Sequence, residues 1–335
     1  MWAALSPVLF AAGLIGSAPA VKDPSPNRAR VWAPLAHAPF RADRHEDAFF
    51  LDSQTGWLVN GYGQVFNTVD RGATWQLQKT LDSFLRSVGF ADASTGWVGT
   101  LDSRHPLYAT ADGGTTWRDA SKPSGPRPAG ICGLCVVSRT VIFGSGRYDG
   151  PAIVMRSTDG GAHWASIDLR GKAAGLTDCY FTDAKSGFVV GWQGSSIESG
   201  VAVVLSTTDG GTTWVTRYRG TRQAELGWKV TFPSARVGYV SIQSFHDGAK
   251  YFLKTTDGGR TWRDKVFTTD DYDAQGIGFV TETHGWIGGR GSSTYETDDG
   301  GETWHTNPGV GTNVNRFRRT RDGVVYAVGQ TVSRY

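Results

Sequence analysis

Thr110-Ala-Asp112-Gly-Gly114-Thr-Thr116-Trp117 decides the reading of this chain, because the same eight-residue pattern occurs five more times. The other copies are Thr68–Trp75, Ser157–Trp164, Thr207–Trp214, Thr255–Trp262 and Thr297–Trp304. Their aspartates, Asp70, Asp112, Asp159, Asp209, Asp257 and Asp299, are separated by 42, 47, 50, 48 and 42 residues. A sustained period of that size signals one supersecondary unit repeated along the chain. Working outward from the second copy, Ser83 to Phe90 reads as a strand and Ala91 to Thr95 as a turn. Gly96 to Gly99 and Leu107 to Thr110 supply two more strands, the motif makes a hairpin, and Trp117-Arg118 opens a fourth. Four antiparallel strands in about 45 residues make a propeller blade.

The same grammar recurs with small changes. Gly56-Trp57, Gly187-Phe188, Gly238-Tyr239 and Gly285-Trp286 put an aromatic on the second strand, where a large ring can fill the space between blades. The third unit uses Val141-Ile-Phe143 instead. A seventh unit lacks the motif and supplies three strands, Asn315 to Phe317, Val324 to Val328 and Thr331 to Tyr335. Arg30-Val-Trp32-Ala33 resembles the strand that follows each motif tryptophan, so it is predicted to complete that last blade and hide its edge. The expected fold is an all-β, seven-bladed propeller of four-stranded antiparallel blades spanning residues 21–335. In the motif, Asp accepts from the turn backbone, Gly permits positive φ, Thr or Ser braces the turn and Trp packs inward. The six aspartates are read as structural and no catalytic residue is assigned.

Composition narrows the function classes. A net charge of +3 on 335 residues lacks the concentrated basic face that a general nucleic-acid binder needs. Residues 1–20 are small and apolar and end in Ala18-Pro19-Ala20, which reads as a secretory signal peptide. That run is too short, and too broken by Pro7 and Gly13, for a stable membrane span. Export to the periplasm or medium is expected. The three cysteines, Cys132, Cys135 and Cys179, are too few for a disulfide framework; they read as small buried residues with or without one bridge. Cys132-Gly-Leu-Cys135 has redox or metal spacing without the partner motif either chemistry requires. Asp270, Asp271 and Asp273 offer calcium-type oxygens, but a solvated acidic loop is commoner, and neither metal nor cofactor is expected.

The six strings resemble the bacterial neuraminidase repeat, or Asp box, across roughly residues 28–335. Asp boxes occur in sialidases and other glycosidases, in sortilin-type receptors and in photosystem II assembly and stability factors. The alternation of F-x-D-x-x-x-G-W with T-D-G-G-x-T-W, clear at Phe90–Trp97 and Phe181–Phe188, is most similar to the last group, the YVTN/BNR-like photosystem II assembly factor-like family. That resemblance implies a seven-bladed, exported scaffold that binds partner proteins. The sialidase likeness is poorer, because the Arg-Ile-Pro signature is absent and Ala38-Pro39-Phe40-Arg41 is only a scrambled echo of it. No sialidase catalytic position can be carried over.

Chain direction then sorts the loops. The Asp-box hairpins share one face, while second-to-third-strand loops and blade links share the other, where propellers commonly bind at the channel mouth. Candidate binding residues on that second face are Arg86, Arg104, His105, Arg147, Tyr148 and Asp149, with Trp192, Glu198, Trp228 and His246. Counting back four positions from each first-strand anchor gives a rim of Glu46, Arg86, Gly130, Thr177, Trp228, Gln275 and Asn313. Arg316, Arg318, Arg319 and Arg321, joined by Arg28 and Arg30 through ring closure, form a candidate basic patch for an acidic partner. The reading is a monomeric, non-catalytic exported scaffold for a protein or peptide. The alternative is a glycoside hydrolase taking a glycan at the mouth, with Glu198 and Asp149 as paired carboxylates.

Overall fold

The computed structural model describes residues 31–120, 122–290 and 293–335. The proposed signal peptide, Arg28 and Arg30 lie outside the described residues. From Trp32 to Tyr335 the chain forms one compact unit of seven four-stranded antiparallel sheets, six of them with their strands in sequence order from the axis outward. Blade 1 shows the pattern: His45–Phe50, Gly56–Asn60, Gln64–Thr68 and Gln76–Thr80. The first strands of the seven blades touch in turn around the axis, the last against the first, so the ring is closed. Among the described residues no helix is long and apolar enough to cross a membrane.

Closure uses the N-terminal segment predicted for it. Blade 7 consists of Arg316–Arg319, Val325–Val328 and Val332–Arg334, and its outermost strand is Ala33–Pro34, paired antiparallel with the third. Trp32 is buried against Trp286 of blade 6, edge-on at 5.0 Å, and packs on Phe317 and Tyr335 of blade 7. The two ends of the propeller are thus riveted through one indole.

A recurring aromatic sandwich holds neighbouring blades together. The second-strand aromatic of one blade stacks face to face on the terminal first-strand Phe of the next: Trp57 on Phe90 at 3.5 Å, Phe143 on Phe181 at 3.7 Å and Tyr239 on Phe279 at 3.6 Å. Tyr326 on Phe50, at 3.8 Å, closes the circle. The box tryptophan of the same blade then meets that Phe edge-on, as Trp117 meets Phe90 and Trp214 meets Phe181. Offset-stacked and edge-on contacts are the favoured aromatic geometries. The glycine of the G-W pair exists for this ring: a Cβ on Gly96 would lie 2.4 Å from Phe90, and one on Gly187 2.2 Å from Phe181.

Each Asp box is a self-contained knot. In the first, Thr68 Oγ1 donates to Asp70 Oδ1 (2.8 Å) and accepts from Gly72 N (2.9 Å). Asp70 accepts from Thr74 N (2.8 Å) and from Thr74 Oγ1 (2.6 Å). The same set recurs around Asp112, Asp209, Asp257 and Asp299, and with His163 replacing the second hydroxyl around Asp159. These donors hold the carboxyls below the usual range, those of Asp112 and Asp209 at about 2. Every carboxylate is spent on its own hairpin.

Candidate functional site: a plugged channel and its two mouths

Five of the seven first strands carry a β-bulge at the same level, and in the other two the residue just before the strand takes the equivalent place. In blades 1, 2, 4 and 5 the ladder skips Glu46, Arg86, Thr177 and Trp228, and in blade 6 it shifts at Gln275 and Gly276. In blades 3 and 7, Cys132 and Asn315 share a partner strand residue with the next residue, Gly133 and Arg316. The predicted rim therefore needs two corrections: Cys132 replaces Gly130, and Asn315 replaces Asn313. The first strands of those blades end in Val136 and Arg319 rather than an aromatic, so counting from Leu134 and Phe317 slips by two. The seven are also no exposed rim: each is buried within the channel.

The ring is cross-linked. Trp228 Nε1 donates to Asn315 Oδ1 across the axis (3.0 Å), and the Arg86 guanidinium lies 5.0 Å from the Trp228 ring. Glu46 is gripped by Arg86 and by Arg44 (2.9 Å). One level further in, Arg316 of blade 7 reaches across to Asp178 of blade 4 with two bonds, 2.8 and 2.9 Å. Asp47, also buried, takes Arg318 at 2.7 and 3.0 Å and lies 3.3 Å from Arg316. Burial pushes the Asp178 carboxyl up, but Arg316 and Lys229 more than reverse this, and its pKa falls below the ordinary value. Burial, reinforced by Arg316 and Arg86, drives the Lys229 ammonium well below its usual pKa. These ion pairs plug the channel, so ligands from outside meet two separate mouths.

The mouth on the face of blade links and second-to-third-strand loops is a cavity of about 310 Å³. Its walls combine aromatics (Phe84, Tyr148, Trp228, Phe245) with the guanidiniums of Arg44, Arg86 and Arg290. Phe245 is 55% exposed and Phe84 41%, large rings held toward solvent. Of the candidates named from sequence, Arg86, Tyr148 and Trp228 meet here, and Trp192 packs beneath with Leu226. The others do not line this cavity. Arg104 is bound to Asp102, His105 lies 3.1 Å from Asp119, Arg147 pairs with Asp149, and His246 sits 3.2 Å from Glu225. Glu198 is exposed and its carboxyl is held down by its own backbone N–H and Ser196. Sequence reasoning missed Phe84, Arg44 and Arg290, whereas Phe245 adjoins His246 in a loop it had placed at this face.

The opposite mouth, about 500 Å³, is lined by the terminal halves of the first strands, including Cys135, Cys179, Phe181 and Phe279. Arg316, Arg318, Arg319 and Arg321 all border it, but they divide by role: Arg316 and Arg318 face inward to Asp47 and Asp178, whereas Arg319 and Arg321 are exposed. All three cysteines are free thiols, and Cys135 Sγ lies 2.6 Å from Cys179 Sγ across the blade 3–4 boundary, so the thiol nearest to hand for Cys135 is that of Cys179. The acidic loop also disperses: Asp270 accepts from Tyr295, and Asp273 takes Gln243 and Arg290.

The closed seven-bladed ring is a β-propeller with six hairpins of the Asp-box pattern, and the BNR/Asp-box repeat model matches residues 295–306, which contain the last of them. Similar solved structures include YCF48 bound to D1 peptide, with 18% identity over 92% of this chain and 97% of that one and a TM-score of 0.67. YCF48 from Cyanidioschyzon merolae aligns at 16% identity over 91% and 99%, with a TM-score of 0.68. The GH74 xyloglucanase from Xanthomonas campestris aligns at 14% identity over 90% of this chain and 52% of its own, with a TM-score of 0.61. At these identities the likeness is one of fold. No curated protein matches the sequence.

Proposed function

We propose that this propeller is a non-catalytic, exported scaffold that holds an extended segment of a partner protein at the aromatic–arginine mouth, as an assembly or stability factor does. One observation carries the reading: solvent-facing Phe84 and Phe245 beside Arg44, Arg86 and Arg290 over a plugged floor. Aromatic and arginine side chains dominate the energetics of protein recognition, and the guanidinium excess favours segments rich in Asp and Glu. The YCF48 structure with its D1 peptide supports this mode for the fold, and an assembly role in a photosynthetic membrane is the finer form of the proposal. The glycosidase alternative has GH74 neighbours in its favour. Against it, hydrolysis needs two carboxylates about 5–9.5 Å apart flanking the bond; among the described residues no carboxylate lines the mouth, and Glu46, buried beside it, is neutralised by two arginines.

Fluorescence anisotropy with labelled acidic, neutral and basic twelve-residue peptides tests the proposal. Acidic peptides should bind, and Phe245→Ala with Arg290→Ser should weaken them about tenfold or more. Equal affinity for all three peptides, or turnover of xyloglucan, would refute it.

A further inference from the structure

Blade 6 differs from the other box-bearing blades at four adjacent positions. Glu296 on its third strand faces Trp286 on one side and His305 on the other. The same ladder position holds Asn67, Ala109, Arg156, Ser206 and Lys254 in blades 1 to 5. The position of His305 holds Gln76, Arg118, Ala165, Val215 and Arg263. Asp298 replaces the Val, Ala or Thr found at the second box position, and His284 replaces the Thr, Ser or Val before the second strand. None of the replaced residues is His, Cys, Asp or Glu, whereas blade 6 has two histidines and two carboxylates. The box itself requires none of them, since Thr297, Asp299 and Thr303 make the usual knot.

Three of them converge in space, the ligand atoms of His284, Glu296 and Asp298 all lying within 4.8 Å of one another, and His305 stands beside Glu296. His284 Nε2 lies 2.7 Å from Glu296 Oε1 and 3.7 Å from Asp298 Oδ1, and His305 Nε2 lies 3.8 Å from Glu296 Oε2. Ligands of a tetrahedral zinc ion at about 2.0–2.1 Å stand roughly 3.4 Å apart, so His284, Glu296 and Asp298 need only small shifts, and the exposed His305 completes the set by turning its side chain toward them. The supporting shell is in place as well. Asn307 Nδ2 donates to Glu296 Oε2, the His284 ring packs 4.6 Å from that of Trp286, and His284 Nδ1 faces the Tyr335 hydroxyl at 3.5 Å. Such partners leave Nε2 turned toward the carboxylates.

We infer that His284, Glu296, Asp298 and His305 form a binding site for a divalent transition metal of the zinc class. Two imidazoles with two carboxylates suit zinc, copper or nickel better than calcium or magnesium, which prefer oxygen alone. The location gives the ion a task. Tyr335 belongs to blade 7 and packs on Trp32 and Trp286, so an ion on His284 braces the seam where the propeller closes.

The test uses untagged protein stripped with a chelator and then titrated with zinc against a chromophoric competitor. One ion per chain should bind, and zinc at about 100 times its Kd should raise the Tm by roughly 4–5 °C. His284→Asn and the exposed His305→Gln should each weaken binding by about 10–100-fold or more. A Cys135→Ser/Cys179→Ser variant should bind as the parent does, and bound cobalt should show ligand-field bands without thiolate charge transfer. The inference fails if zinc does not bind stoichiometrically, if binding survives loss of both histidines, or if it is lost with the cysteines. Should His284→Asn not fold, His305→Gln alone decides.

Discussion

Asp178→Asn keeps the shape of a buried side chain and removes the charge that Arg316 spans the channel to reach. Asp178 is 2% exposed and accepts two bonds from Arg316, at 2.8 and 2.9 Å, besides one from Val230 N. Without it, the 6%-exposed guanidinium keeps only Asp47, 3.3 Å away and already engaged by Arg318. Breaking one side of a buried pair costs about 3–5 kcal/mol. A domain of roughly 300 residues has an unfolding entropy near 0.6 kcal/mol/K, so the Tm should fall by about 5–8 °C. Arg316→Met should cost a similar amount. The double variant Asp178→Leu/Arg316→Met should recover most of the loss, because apolar replacements of a whole buried pair are often neutral or stabilising. Thermal unfolding followed by circular dichroism reads all three. A single-variant loss below about 1 kcal/mol, or a double variant no better than the sum of the singles, would refute the trans-channel strap.

Trp32→Ala should destabilise the ring by about 3–5 kcal/mol, with Trp32→Phe recovering part; a shift in denaturation midpoint below a quarter of that would mean the seam does not depend on this indole. His45 is pushed down to about 4, chiefly by burial, so the unfolded chain binds a proton that the folded one refuses between pH 6.5 and 4. Stability is then full above pH 6.5 and declines as pH falls through that window, by about 3 kcal/mol; His45→Gln should flatten the slope of Tm against pH. Cys135 and Cys179 should close a bridge when oxidised glutathione is added, forming one Sγ–Sγ bond while releasing two glutathiones. Mass spectrometry of alkylated peptides should then find Cys132 as the free thiol; covalent dimers instead would contradict the 2.6 Å approach.

Much of this fold was legible from the chain, and the illegible part has definite causes. Blade number, strand order and closure followed from the boxes and from Trp32, since a strand that follows a box tryptophan has a recognisable pattern. The role of the second-strand aromatics was readable because each stands at the same place in its unit, and Trp57, Phe143 and Tyr239 do fill the space between blades. The bulges left no mark, as any residue from Cys132 to Trp228 serves there, and the register slipped where Val136 and Arg319 replace an aromatic. The basic run at 316–321 looked like one patch because sequence does not show that alternate strand residues face the channel core. The partner of Arg316 is 138 positions away, and no local signal connects them. The part of the mouth built from Arg44, Phe84 and Arg290 came from chain segments whose direction only the closed ring defines.

The bulge residues have a consequence for how such a molecule can change. Because the ladder bypasses Thr177 and Gln275, exchanging either for another side chain should leave the strand registers as they were. The axis therefore works like a seven-pin lock, in which the pins can be recut while the barrel stays the same.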